Sequence, residues 1–257
     1  MIKRGSKINV CSEEEGSPLL AACKHGHEII VQQLLDTGAD VNLYSKSEGS
    51  PLLVACEYGN YSIVRCLLNK GAVVNICFDD KLSPLYSACN NGHYCIVELL
   101  LNKGAKVNQR LDEKNSPLHI ACKKGYKNIV QILLDKNADV NPCFSKGTSP
   151  LYAACQYGDE HIVQLLLQKG AKVNPLTLNE GYPLTAACVS GNENVVKLLL
   201  KKGANINTNL QNGTSPLFAA CEHGHDTIVQ YLLQQGAAIN SYSKYFGSPL
   251  NTCLLYT

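Results

Sequence analysis

The chain has 257 residues, 45% of them hydrophobic and 17% charged, with a formal net charge of +2. That apolar fraction excludes wholesale disorder, and no uninterrupted apolar run approaches the about 20 residues that would span a bilayer. With 23 basic and 21 acidic residues, the balance argues against a dedicated nucleic-acid binder.

The start, Met1 to Lys7, is basic but carries no apolar stretch of the kind a secretory signal needs, so a reducing compartment and reduced thiols are expected despite 13 cysteines. From there the chain is periodic. Ser-Pro-Leu recurs at Ser17, Ser50, Ser83, Ser116, Ser149, Ser215 and Ser248, with Tyr182-Pro183-Leu184 in the one gap, and every step is 33 residues. An Ala-Cys column keeps the same step at Cys23, Cys56, Cys89, Cys122, Cys155, Cys188 and Cys221, and Gly26, Ile30-Val31, Leu34-Leu35, Gly38-Ala39 and Val41-Asn42 head further columns. Fixed-period columns of this kind are the signature of a repeat architecture.

In chain order the units are a partial repeat 1–11, full repeats 12–44, 45–77, 78–110, 111–143, 144–176, 177–209 and 210–242, and a partial repeat 243–257. Residues 45–77 show what each contains. Ser50 reads as an N-cap with Pro51 at the first helical position, and Leu52, Ala55 and Cys56 follow at helical spacing until Gly59 closes a helix of about two turns. A second helix is expected from about Ser62 to Lys70, with Ile63, Val64, Leu67 and Leu68 as its apolar stripe. From Ala72 to Ser83 the chain is too polar and too short for a third helix and reads as a projecting turn. A helix pair this small cannot bury its own faces, so the units must stack. The prediction is one all-α repeat solenoid domain spanning 1–257. Neither end carries a polar capping repeat, so an excerpt of a longer array is expected rather than a small protein with frayed ends.

The repeated pattern Ser-Pro-Leu-x-x-Ala-Cys-x-x-Gly-His-x-x-Ile-Val-x-x-Leu-Leu-x-x-Gly-Ala-x-Val-Asn resembles the ankyrin repeat over the whole chain. The resemblance implies L-shaped units, each with two antiparallel helices and a β-hairpin-like loop, stacked in a curved array that binds proteins along its concave face. It also marks departures. The family's histidine after Pro-Leu survives only as His119, and the slot otherwise holds Leu20, Leu53, Tyr86, Tyr152, Thr185, Phe218 and Asn251. Asn137 replaces a glycine at a helix end, where asparagine tolerates the left-handed conformation.

Catalytic chemistry finds no foothold: no phosphate loop, dinucleotide fingerprint, nucleophile elbow or repeated carboxylate pair is present. No cofactor is expected. Adjacent cysteines of the column should lie one helix-packing distance apart, about 8–10 Å, beyond the roughly 7 Å that a disulfide spans. They read as small packing residues, while Cys11, Cys77 and Cys143 share a hairpin-base slot and are the expected reactive thiols. Cys23-Lys24-His25-Gly26-His27 and Cys221-Glu222-His223-Gly224-His225 look like metal-ligand clusters, but they lie six repeats apart and neither has four converging ligands. Lys70, Lys103, Lys136, Lys169 and Lys202 form a column that either faces an anionic partner or complements helix C-termini.

Variation concentrates at the hairpin and at the end of each first helix. The candidate recognition residues are Tyr44, Lys46, Tyr58, Asp79, Asp80, Arg110, Lys123, Lys124, Tyr157, His223 and Tyr242, a set rich in the tyrosines and charges that suit binding hot spots. The expected function is a non-enzymatic protein–protein interaction module or scaffold, monomeric and cytoplasmic or nuclear, without membrane or nucleic-acid binding. The alternative is a sensor array for RNA or another anionic ligand within a larger signalling protein, and a third reading is a structural spacer.

Overall fold

In a computed structural model, residues 8–10, 16–76, 83–109, 116–142, 148–175, 181–208 and 214–239 are described. The chain divides into two units, residues 1–112 and 113–257. In the first, short inner helices α1 (Pro18–Lys24), α3 (Pro51–Glu57) and α5 (Pro84–Asn90) alternate with outer helices α2 (Glu28–Asp36), α4 (Tyr61–Asn69) and α6 (Tyr94–Asn102). In the second, α7 (Pro117–Lys124), α9 (Pro150–Tyr157), α11 (Pro183–Ser190) and α13 (Pro216–Glu222) are the inner helices. Their outer partners are α8 (Lys127–Asp135), α10 (Glu160–Gln168), α12 (Glu193–Lys201) and α14 (Asp226–Gln234). Each of the seven 33-residue repeats therefore contributes one antiparallel pair. Extended structure among the described residues is limited to isolated pairing such as Ser45 with Gly49 in a hairpin.

The Ser-Pro step starts the inner helices as expected. The hydroxyls of Ser17, Ser50 and Ser83 in the first unit accept the backbone N–H three residues on, at 3.2 Å each. Ser116, Ser149 and Ser215 do the same in the second unit at 3.1 Å, whereas Tyr182 gives α11 no side-chain cap. The prolines add a fixed helical φ where the N–H would be unpaired anyway. Helix ends are closed by left-handed residues, among them Gly59 (φ 76°), and Asn137 takes that conformation (φ 61°) where its counterparts are glycine.

Inner helices pack side by side within each unit, α1 on α3 on α5 and α7 on α9 on α11 on α13. The Ala-Cys column makes this approach possible: Cys56, Cys89, Cys122, Cys155 and Cys188 are fully buried, as is Cys23. Burial pushes these thiols far up, to about 12 for Cys23 and Cys188, so they are un-ionised packing groups. Cys221 departs from the expectation of reduced thiols. It is disulfide-bonded, whereas the other described cysteines are free.

A second tie joins successive repeats through asparagine. Asn42 donates through Nδ2 to the Gly71 carbonyl (3.3 Å) and accepts the Val73 N–H (2.9 Å), pinning the turn of the following repeat. Asn75 binds Gly104 and Lys106 in the same way, and in the second unit Asn141 binds Gly170 and Lys172 while Asn174 binds Gly203 and Asn205. Each asparagine satisfies one donor and one acceptor of a neighbouring turn that would otherwise be left to water.

Candidate functional face

In the first unit the last residues of the inner helices and the hairpin at 43–49 line one hollow, and in the second the described variable slots are those at the ends of the inner helices. In the first unit Tyr58 is the C-cap of α3 and is 50% exposed. It lines a hollow of about 400 Å³ together with Lys24, Glu48 and Glu57. Lys24 Nζ donates to Glu48 Oε1 at 2.6 Å, and this bond raises the lysine above its ordinary range. Lys46, exposed, stands on the hairpin that carries Ser47 and Glu48 into the hollow. Tyr44, at the base of that hairpin, is half-buried.

In the second unit the counterpart is basic. Lys123 and Lys124 are exposed in the last turn of α7, where positive charge complements the helix dipole. Tyr157, the last residue of α9, is 58% exposed, yet one edge of its ring rests on Gly125 so closely that a Cβ there would collide with it. The ring therefore sits one residue beyond Lys124. His223 is the exposed C-cap of α13, its Nδ1 3.0 Å from the Ala219 carbonyl and its ring stacked on His225 at 6.2 Å. Asp79, Asp80, Arg110 and Tyr242 lie outside the described residues, as do Cys11, Cys77 and Cys143.

Of the histidines that resemble metal ligands, His225 has a structural role. His225 donates from Nε2 to the Val189 carbonyl (3.1 Å), and His93 in the same slot donates to Glu57 (3.1 Å). Asn60 fills that slot in α4 and donates to the Cys23 carbonyl at 2.7 Å. The residue before α4, α6 and α14 thus closes the end of the inner helix of the preceding repeat. Its signal in the sequence is a polar residue of variable type at fixed period, which looks like mere turn composition.

The lysine column is partly accounted for. Lys70 pairs with Asp36 at 2.8 Å and Lys169 with Asp135 at 3.7 Å, each reaching back to the last residue of the preceding outer helix. His119 keeps a hydrogen bond to the next repeat, with Nε2 3.0 Å from Thr148 Oγ1. Burial pushes its imidazole down to about 4, with Lys123 adding to the effect. No helix among the described residues is long and apolar enough to cross a membrane.

A family model described as ankyrin repeats in three copies matches residues 1–77, 19–111, 85–177 and 171–243. Many solved structures are similar. One, the ankyrin repeat domain of human ASB11, shares 32% identity and a TM-score of 0.74, covering 86% of this chain and 99% of that one. None of the curated proteins compared matches.

Proposed function

Since the chain belongs to the ankyrin-repeat family, whose repeats are generally protein–protein interaction modules and typically non-enzymatic, we propose that it is a scaffold that binds a protein partner along the inner-helix and hairpin edge. The observation that carries this reading is the contrast within each repeat. The leucine of Ser-Pro-Leu, the Ala-Cys pair and the first leucine of Leu-Leu are buried and nearly invariant, while the exposed slots beside them differ from repeat to repeat and hold Tyr58, Lys123, Lys124 and Tyr157. Half-exposed tyrosines seated on a rigid scaffold lose little conformational freedom on binding and present large contact area.

The anionic-sensor alternative is weakened by the ion pairs of Lys70 and Lys169, which engage two of the five column lysines within the fold. The test is capture from cell extract on the wild-type chain and on the double variant Tyr58→Ala/Tyr157→Ala, followed by binding of each identified protein in purified form. The expected result is a partner lost from the variant while its helicity is unchanged. Partners bound equally by both proteins would move the interface elsewhere.

A further inference from the structure

The hollow in the first unit has a composition that specifies what enters it. Its floor is apolar, made by Leu53 and Val54, which are 6% and 2% exposed. Tyr58 borders it as an aromatic side, half-exposed. Around it stand two carboxylates and one ammonium, and the ammonium is engaged: Lys24 is held by Glu48 Oε1. The other oxygen of that carboxylate, Oε2, is buried and finds no hydrogen-bond partner among the described residues. Glu57 is exposed and makes no ion pair among them.

Glu57 is also misplaced as a structural residue. It is the final residue of α3, at the negative end of the helix dipole, where a carboxylate is disfavoured and a cation is favoured. The same slot carries Lys24 in α1 and Lys123 in the third repeat after it, where the sign suits the helix. Glu222 repeats the carboxylate in α13, but there the hairpin slot matching Glu48 holds Gly213 and the slot matching Lys24 holds Val189. Paired glutamates over an apolar floor beside a tyrosine are thus particular to the first unit among these repeats. The gain within the fold is slight, a weak attraction to Lys24, and a local rule broken for so little points to a functional role.

We propose that this hollow is a subsite for a cationic side chain, arginine or lysine, presented by the protein partner. The aliphatic stem lies on Leu53 and Val54, as long charged side chains do over apolar surface. The charged head lies beside the Tyr58 ring and donates a charge-assisted bond to Glu57, within the field of Glu48. The inference rests on the protein-binding reading and adds the chemistry of one contact.

The test selects phage-displayed random nonapeptides on the full 257-residue chain. A selected peptide is then synthesised with its basic residue as arginine, citrulline or glutamate. Fluorescence anisotropy should show the arginine form binding about tenfold tighter than the citrulline form to wild type. That advantage should vanish in Glu57→Gln, and Glu57→Lys should favour the glutamate form. Glu57 is exposed, so both variants are expected to keep wild-type circular dichroism, which is checked first. Selected peptides with no basic position, equal binding of arginine and citrulline forms, or no selected peptide at all would each overturn the subsite. If that happens while partner capture still depends on Tyr58 and Tyr157, the subsite alone has failed. If capture is also indifferent to those tyrosines, the protein-binding reading has failed with it.

Discussion

The candidate edges of the two units are built on the same frame and differ in charge around their tyrosines. In the first, Glu48 and Glu57 outnumber Lys24 around Tyr58; in the second, Lys123 and Lys124 precede the glycine on which Tyr157 rests. The helices, caps and cysteine column beneath them are copies. The difference teaches that chemistry here is decided at one or two slots per repeat, and that the frame does not register the change. A partner matching both edges must itself be patterned in charge, which favours one orientation over its reverse. Substitutions can break the equivalence of the frames or sharpen the difference between the edges.

The largest effect is expected in the shared frame. Leu67 in α4 and Leu166 in α10 occupy the same column and are both fully buried. Truncating either to alanine should cost about 2–5 kcal/mol, the sum of lost apolar burial and the cavity left behind. Urea unfolding followed by circular dichroism gives both values. Costs that agree within about 1 kcal/mol mean that the frames are equivalent, since such truncations scatter with how far each site collapses. A wider gap would mean that the units are not copies in energy even though they are in geometry.

His119 breaks the equivalence through pH. It belongs to the second unit, and the corresponding slots of the first hold Leu20, Leu53 and Tyr86. Its imidazole is pushed down to about 4 in the fold, against about 6.5 in an unfolded chain. Between those values the unfolded state takes up a proton that the native state refuses. The stability is therefore complete above about pH 6.5 and is lost as pH falls towards 4, by up to about 3 kcal/mol. Hydrogen exchange at about pH 7 and about pH 4.5, on either side of that window, should show helices α7 to α10 loosening before α1 to α4. His119→Leu, which places in this slot the residue found in two others, should remove the difference. Acid loosening that persists in the variant would assign it to carboxylates instead.

The caps offer a smaller and more uniform effect. Replacing Ser50 or Ser149 by alanine removes a hydrogen bond to the third backbone N–H and should cost about 1 kcal/mol in each unit. Thermal melts of the two variants should move together. A neutral outcome in one unit would show that its inner helix is held by packing alone.

How much of the fold is legible in the sequence follows from the range of the interactions. Ser50-Pro51 and Gly59 act within one helix, so the spacing contains the whole argument, and α3 begins at the proline and closes before the glycine as expected. The spacing starts the outer helix one residue late, because Tyr61 enters its first turn without a side-chain cap to announce it. The asparagine ladder and the His93 and Asn60 bonds join residues 29 to 37 apart. Their periodicity is visible in the sequence, but not the rotation that brings each side chain to the neighbouring turn. At the binding edge, variation alone points to Tyr58 and Tyr157. It gives no sign that Glu48 reaches Lys24 across 24 residues to build a hollow, because that depends on where the hairpin folds back.

The smallest effect concerns the charges that serve the frame rather than the edge. Lys70 pairs with Asp36, and both are substantially exposed, with side-chain exposures of 43% and 53%. Such a pair is worth little where water screens it, and less in high salt. Lys70→Met should therefore lower stability barely measurably in dilute buffer and not at all in about 1 M salt. The hydrogen bond to Lys70 holds the Asp36 carboxyl below its ordinary range, so the same small increment should fade as pH falls through the carboxylate region. Lys202 follows Gln168 instead of an acid and makes no ion pair among the described residues, and Lys202→Met should be silent under all these conditions. If both variants were silent for stability but weakened partner binding, the lysine column would belong to the recognition chemistry after all.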